Sequence, residues 1–418
     1  MSANGCQKRV TQLMLNAPAA APCNRLLQAM GPEVPAIAVE EATRACAAVD
    51  AELELLLSDL ATWVDADTPG GDIHALDRLA RLLASVSERY GLEPELVPSP
   101  AGLYLHATLR GPGRGRVALL CHHDTVFPLG TAAMRPFRRD DRRCYGPGVA
   151  DMKGGIAVAV HTARALATGP RPFELVEVVS VPDEESRPGP PTTIERLESF
   201  DAVLCLECGR PSGEIVSARK GAAWLRVHAE GRAAHAGEAP RAGRNVALAL
   251  AREALRLAEL DAAREGMTLQ ITALEAGEGL NTVPSRGLLA ADVRAATQGD
   301  LDWVTARIRD FPAYDGITLR YEDLGGPPPL ERTPAVGRLA GTAVALGAAL
   351  GHELGEAVAG GVSDGSWTAS RGIPTLDGLG PVGGDDHSPA EYVETASFAT
   401  RCGVVAGLVA AIGAGLLD

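Results

Sequence analysis

Short apolar runs of strand character alternate with helical runs along much of this chain, and that alternation restricts the fold more than any other feature. VALLC (117–121), ELVEVVSV (174–181) and AVLCLE (202–207) read as buried strands, and IAVAVHTARALA (156–167) reads as a helix between the first two. Strands alternating with helices predict an α/β architecture, a mostly parallel, doubly wound sheet covered on both faces. Asp72 can cap a helix with an apolar face of Leu76, Leu79, Leu83 and Val86, and Gly91 is placed to end it.

The pattern changes after about residue 218. Trp224, Arg226, His228 and Glu230 alternate with Ala223, Leu225, Val227 and Ala229, as in a half-buried strand. A helix near 243–260 follows, then strands near 267–274 and 286–294, a helix near 300–311 and a strand near 316–322. That β-α-β-β-α-β order predicts an α+β, ferredoxin-like module with an antiparallel sheet. GGPPP (325–329) punctuates the chain, and β/α alternation resumes with a helix over 334–351 and the run IPTLDGL (373–379). The expected organisation is a loosely ordered extension over 1–40, a larger domain built from 41–217 and 331–418, and an insert over 218–330. A length of 418 residues fits two domains, since single cores stop growing near ~250–300 residues.

Composition narrows the partners. With 39 Lys and Arg against 53 Asp and Glu, the net charge of −14 argues against a phosphate-backbone binder, so no nucleic-acid partner is expected. The longest apolar run, Cys402 to Leu417, falls short of the ~20 residues a membrane span needs. Its Gly403, Ala406, Gly407 and Ala410 read as a close-packed terminal helix. The first forty residues show no basic start followed by an apolar core, and most of the cysteines lie scattered in apolar runs like reduced thiols. Cys6, Cys23 and Cys46 are in or near the leader. A soluble, cytoplasmic protein without a membrane partner is expected. Cys205 and Cys208 form a C-x-x-C, but no second pair and no helix start accompanies it, so two buried strand-end thiols are expected there.

Ionisable residues gather where the strands of the larger domain end. VALLC runs into His122, His123 and Asp124; GPGVADMKGG places Asp151 before a glycine pair and a helix; Glu184 and Glu185 follow ELVEVVSV; Glu207 follows AVLCL; and GPVGGDDHSPAEY supplies His387. The carboxyl ends of strands in an open α/β sheet line one crevice, where ligands bind. Histidine and carboxylate donors suit zinc, with manganese or cobalt as substitutes. Two histidines and three carboxylates exceed the three protein ligands of an ordinary catalytic zinc. They fit two metals sharing a bridging carboxylate, ~3.5–4 Å apart. In the pair Glu184–Glu185, one carboxylate can bind metal while its neighbour takes a proton from water. Asp124 can accept the second N–H of His122 and fix the ligating tautomer. Singly, each of these is a common surface feature; together they point to a two-metal hydrolase.

At these residues the chain resembles the two-zinc amidohydrolases and exopeptidases that include glutamate carboxypeptidases, aminoacylases, acetylornithine deacetylases and succinyl-diaminopimelate desuccinylases. LLCHHDTVFPLG, YGPGVADMKGGIA, PDEES, LECGRP, AAHAGEAPRAGRNV, NTVPSRGLLAADVR, GGVSDG and GGDDHSPAEYV match that family's blocks in order, from about residue 50 to the C-terminus. HDTV, YGPGVADMKGG and the AHAG block are most similar to the glutamate carboxypeptidase branch. The resemblance implies that His122, Asp151 and Glu207 hold one zinc, and that Asp151 bridges to a second completed by Glu185 and His387. It implies Glu184 as the general base, passing a proton from water between the zincs to the leaving amine. Asp124 matches the family's supporting aspartate. The insert matches a lid and dimerisation domain, so a homodimer is implied. There, His235 corresponds to a histidine reaching the partner's site to stabilise the oxyanion, and Asn281 and Arg294 correspond to substrate-binding residues. An arginine is a natural bidentate clamp for a carboxylate.

Met152, His123, Asp385 and Asp386 depart from the commoner pattern, and His123 beside the first ligand leaves a ligand swap open. The expected activity is hydrolysis of the amide bond of an N-acyl amino acid or dipeptide-like substrate. The alternatives are a deacylase for small acyl groups and a biosynthetic relative that forms amide bonds. A non-hydrolytic binding protein on the same fold would be signalled by loss of a ligand or of the paired glutamate, and all are present.

Overall fold

The computed structural model describes residues 34–418 apart from Pro188 and Glu278. The extension expected over 1–40 lies outside the described residues up to residue 33, as do Cys6 and Cys23. Its last residues correct that expectation, because a helix spans Ala36–Ala51 and buries Ala38, Ala42, Ala45 and Val49. This face is mostly alanine, too weakly apolar to show as a period in the sequence. It packs on the terminal helix Ser397–Gly413, where the stripe of small residues makes close approach possible. A Cβ on Gly403 would lie 2.8 Å from the Ala42 carbonyl oxygen, and one on Gly407 would lie 2.9 Å from that of Ala38. Among the described residues, no helix is long and apolar enough to cross a membrane.

The helix Ile73–Arg89 starts as its sequence predicts, with the Asp72 carboxylate accepting from the Ala75 N–H at 3.0 Å, and Gly91 follows it at φ +85°. The chain then enters a six-stranded sheet. Its order is Glu93–Ser99, Gly102–Arg110, Leu175–Val181, Arg116–His122, Ala202–Cys205 and Thr375–Leu376. The last four strands are mutually parallel; the first two form an antiparallel hairpin at one edge. That hairpin gives little sequence signal, since its outer strand carries Pro94 and Pro98 and is only partly buried.

Alternation along the parallel strands fills both faces. Val117, Leu119 and Cys121 join the main core with the helices Gly154–Ala167 and Ser397–Gly413, while Ala118 and Leu120 join a second cluster with Val203, Leu197, Phe200 and Ile373. Burial on both sides is why these strands read as continuous apolar runs.

Residues 221–323 build a second, antiparallel sheet in the order Thr268–Ala276, Arg286–Ala295, Gly221–Glu230, Thr318–Asp323. With the helices Val246–Ala258 and Gln298–Arg309, this gives the β-α-β-β-α-β, ferredoxin-like order expected from the sequence. Leu225, Val227 and Ala229 point into a separate core with Leu250, Leu257, Leu289, Val293 and Ile308. Both helices begin at side-chain caps, Asn245 and Thr297.

The glycine pair after Asp151 is a packing requirement. A Cβ on Gly155 would lie 2.0 Å from the Leu206 carbonyl oxygen, so the start of the helix Gly154–Ala167 lies directly against the chain leaving the Ala202–Cys205 strand. Gly155→Ala is therefore expected to force the two apart and destabilise the protein by about 1–3 kcal/mol, measured as a lowered midpoint in thermal or denaturant unfolding.

Candidate metal centre

Each acid and histidine singled out in the larger domain stands at or just beyond the carboxyl end of a parallel strand, or in a loop facing it. His122 is the last residue of its strand. Glu184 and Glu185 follow Leu175–Val181, and Glu207 follows Ala202–Cys205. Asp151 sits in the turn before Gly154, and His387 lies in the loop between short strands at Gly383–Gly384 and Tyr392–Glu394. Asp385 and His387 both adopt left-handed backbone, at φ +56° and +59°, a conformation that costs energy in any residue but glycine.

The five expected donors converge. His122, Asp151 and Glu207 offer ligand atoms within 4.8 Å of one another, and so do Asp151, Glu185 and His387. Asp151 belongs to both sets and divides its oxygens between them: Oδ1 lies 3.0 Å from His122 Nε2, and Oδ2 lies 2.9 Å from His387 Nε2. Glu207 Oε1 is 3.7 Å from His122 Nε2, and Glu185 Oε1 is 3.1 Å from His387 Nε2. Glu184 groups with His122 and Glu185 but with neither Asp151 set. His123, the next residue along, is turned away from the donors. Its Nδ1 lies 2.9 Å from Ser180 Oγ, and burial pushes its pKa down to about 3, so it stays neutral in the core and the ligand swap left open by the sequence has no geometric support.

The cluster carries more negative charge than its imidazoles offset. Burial raises the Glu184 carboxyl well above the ordinary glutamate range and that of Glu207 to about 8. Glu185 is likewise raised by burial. Burial also acts to raise Asp151, but hydrogen bonds from His122 and His387 hold it low, and Asp151 in turn lifts His387 to about 9. A buried nest of oxygen and imidazole donors short of positive charge fits divalent cations, and a two-oxygen carboxylate between two donor sets fits a pair of them.

Two further carboxylates hold the donors in place. Asp124 accepts from His122 Nδ1 at 3.2 Å, which leaves Nε2 as the ligating nitrogen, and it also accepts the Glu184 and Glu185 N–H groups at 3.1 and 3.0 Å. Glu391 accepts three N–H groups from the Asp151 loop: Gly148 at 3.0 Å, Ala150 at 2.8 Å and Asp151 at 3.1 Å. Sequence reasoning missed Glu391, although it stands four residues after His387 in the same block. A lone acid at that spacing has no distinguishing pattern. Lys153, buried beside this loop, donates to the Ala66 carbonyl at 2.8 Å.

The donors open onto a cavity of about 480 Å³ that is also lined by Arg210, Arg219 and Arg294. Arg219 is bound to Asp377 at 2.6 Å, and Arg294 places its fork on Asp292 at 2.8 and 2.9 Å. Arg210, not singled out from the sequence, makes no side-chain hydrogen bond among the described residues, and its Nε is buried without a partner. His235 and Asn281 do not line this cavity. They lie together at the end of the second sheet, where the Ala236 N–H donates to the Asn281 carbonyl at 2.8 Å. His235 Nδ1 accepts from Gly237 and Glu238 N–H groups at 3.2 and 3.1 Å, which leaves Nε2 as the outward-facing donor. Among the described residues neither Cys205 nor Cys208 forms a disulfide, and burial pushes both thiols up, in keeping with structural thiols.

Comparison with known proteins gives a consistent result. The model of peptidase family M20/M25/M40 matches residues 118–411. Carboxypeptidase G2 from a Pseudomonas species is 31% identical over 380 residues, covering 87% of this chain and 91% of its own. A succinyl-diaminopimelate desuccinylase from Marinobacter nauticus is 29% identical, covering 70% of this chain and 82% of its own. Among solved structures, aminopeptidase PepT from Bacillus cereus superposes with a TM-score of 0.72 at 21% identity, covering 86% of this chain and 98% of its own. An M20 family metallo-carboxypeptidase from Sulfolobus solfataricus does so with 0.66 at 14%, covering 86% and 99%.

The Glu391 bonds to the Asp151 loop generate a specific expectation. Glu391→Gln, which replaces one acceptor oxygen by a donor facing N–H groups, lowers zinc affinity by roughly 10–100-fold while leaving the secondary structure intact. Zinc titration with a competing chelator, alongside circular dichroism, checks both halves.

Proposed function

The chain belongs to peptidase family M20/M25/M40, and from that premise we propose that this metallopeptidase-family enzyme is a two-zinc hydrolase of N-acyl amino acids or dipeptide-like substrates, similar in action to glutamate carboxypeptidases. The observation that carries the reading is the division of Asp151 between two donor sets, one oxygen toward His122 and one toward His387. In this reading His122, Asp151 and Glu207 hold one metal, and Asp151, Glu185 and His387 hold the other. Zinc bound there, with Co²⁺ or Mn²⁺ as substitutes, supplies Lewis acidity toward the scissile carbonyl and the attacking water.

The chain's own groups do the rest. Glu184 takes a proton from the attacking water and returns it to the leaving amine. Its backbone N–H is held by Asp124, which fixes the segment that carries it. Arg210, Arg219 and Arg294 give the cavity positive charge for the carboxylate of the released amino acid. Among the described residues, Arg210 is the member of this trio whose side chain makes no hydrogen bond, its Nε being buried without a partner.

Residues 218–330 act as the lid and as the dimer contact in this reading, and the enzyme works in the cytoplasm. Support for the dimer comes from exposed apolar side chains of the insert. Leu248 (58% exposed) and Leu255 (71%) lie seven residues apart on one helix, and Leu274 (45%) lies on the edge strand Thr268–Ala276. In the dimer, His235 Nε2 and Asn281 reach the partner's site, the histidine stabilising the oxyanion. A second reading, a deacylase for small acyl groups, is favoured by the likeness to desuccinylases.

Zinc analysis and an N-acyl amino-acid panel test the centre. Two zincs per chain are expected, with activity lost on chelation and restored by zinc. Glu184→Ala should retain metal and lose at least a thousandfold in kcat; equal activity in the variant would sink the mechanism. Separately, Leu255→Glu should shift the protein toward monomer in analytical ultracentrifugation and reduce turnover. Mixing inactive His235→Ala with inactive Glu184→Ala should restore part of the activity through hybrid dimers.

A further inference from the structure

Arg401, on the helix Ser397–Gly413, is 1% exposed and forms no ion pair among the described residues. Burial pushes its pKa down to about 10, so the guanidinium is charged at neutral pH, and its Nη1 is buried without a partner. Taking a charge out of water without a counter-charge is costly, so what the group touches there defines its use.

Its contacts converge on one turn. Nη2 donates to the Gly213 carbonyl at 2.9 Å. At the other end of the turn, a Cβ on Gly209 would lie 3.1 Å from the Arg401 Cζ and closer still to Nη2, so the guanidinium lies directly against that glycine. Between these two points the Arg210 N–H donates to the Glu214 carbonyl at 3.0 Å, and the Gly213 N–H donates to the Arg210 carbonyl at 2.8 Å. Gly213 supplies the left-handed backbone the turn requires, at φ +92°. The turn joins Glu207 to the strand Ile215–Arg219, and its Arg210 and Pro211 line the arginine-bearing cavity, which Arg401 does not reach. With no side-chain hydrogen bond of its own among the described residues, Arg210 takes its direction from the backbone of this turn.

We propose that Arg401 is a positioning residue for substrate binding, holding both ends of the Gly209–Gly213 turn so that Arg210 faces the substrate carboxylate. It touches neither substrate nor metal donors and acts through Arg210. The proposal rests on the hydrolase reading above and adds to it a residue outside the cavity. A planar fork suits the task because it spans a carbonyl at one end of the turn and a glycine face at the other; an ammonium is a point charge and cannot do both.

The test measures kcat, KM and zinc content on whichever N-acyl amino acid the zinc-loaded enzyme cleaves fastest. Arg401→Met should raise KM about tenfold, as loss of one charge-assisted contact does, with kcat within about twofold and zinc content unchanged. In an Arg210→Ala background the same substitution should change KM by less than about twofold, because the residue it acts through is gone. Arg401→Lys should recover only part of the loss. Gly209→Ala, which displaces the guanidinium while leaving Arg401 in the chain, should reproduce the rise in KM and decides the matter if Arg401→Met does not fold. An unchanged KM, an equal rise with and without Arg210, or a loss of zinc or kcat in place of the KM effect overturns the proposal while leaving the hydrolase reading intact. No hydrolysis of any N-acyl amino acid by the zinc-loaded wild type overturns both.

Discussion

Crowding of carboxylates around two imidazoles is the constraint on which the rest of this structure depends. Asp151, Glu184, Glu185 and Glu207 come together at the carboxyl ends of parallel strands, where burial pushes the three glutamates toward their protonated forms. Like charges at about 4 Å repel by roughly 4 kcal/mol per pair near a protein surface, so such a cluster persists only when its backbone is held and when cations have a place in it. Asp124 and Glu391 provide the holding. Between them they fix five N–H groups of the Glu184–Glu185 and Asp151 loops. Gly155 lets the helix behind Asp151 approach the chain that carries Glu207.

The glutamate pair lines both an arginine-bearing cavity and a tryptophan-bearing one, and the insert contributes to both. Trp224 and Asp292 are directly paired across the strands Gly221–Glu230 and Arg286–Ala295, and Arg294 lies two residues farther on, on the same face. Asp292 accepts from both Trp224 and Arg294, so one carboxylate sets the positions of a residue from each cavity. Movement of the insert would therefore carry both residues together.

Much of this was legible because the chemistry sits at strand ends. VALLC, ELVEVVSV and AVLCL announce themselves as buried strands, and His122, Glu184, Glu185 and Glu207 follow them closely. The insert was legible because its sheet has one wet face, so Trp224 to Glu230 alternate cleanly. The helix at Ala36 was not, because alanine against glycine packs through close approach rather than apolar bulk. The edge hairpin was hidden by its prolines. Glu391 and Arg210 carried no signal because an acid that binds backbone, or an arginine without a side-chain partner among the described residues, looks like any surface charge.

The sequence by itself determined the donor types, the strand-to-loop position of each, and the order of elements that brings them to one edge of a sheet. These are properties of neighbouring residues, written in period and spacing. Tertiary structure decided which oxygen of Asp151 faces which histidine, that His123 turns away, that Arg219 and Arg294 are already paired, and that two tryptophans 143 positions apart line one cavity. Those facts depend on distances between segments far apart in the chain, and such distances are fixed by sheet order and helix packing rather than by any local pattern.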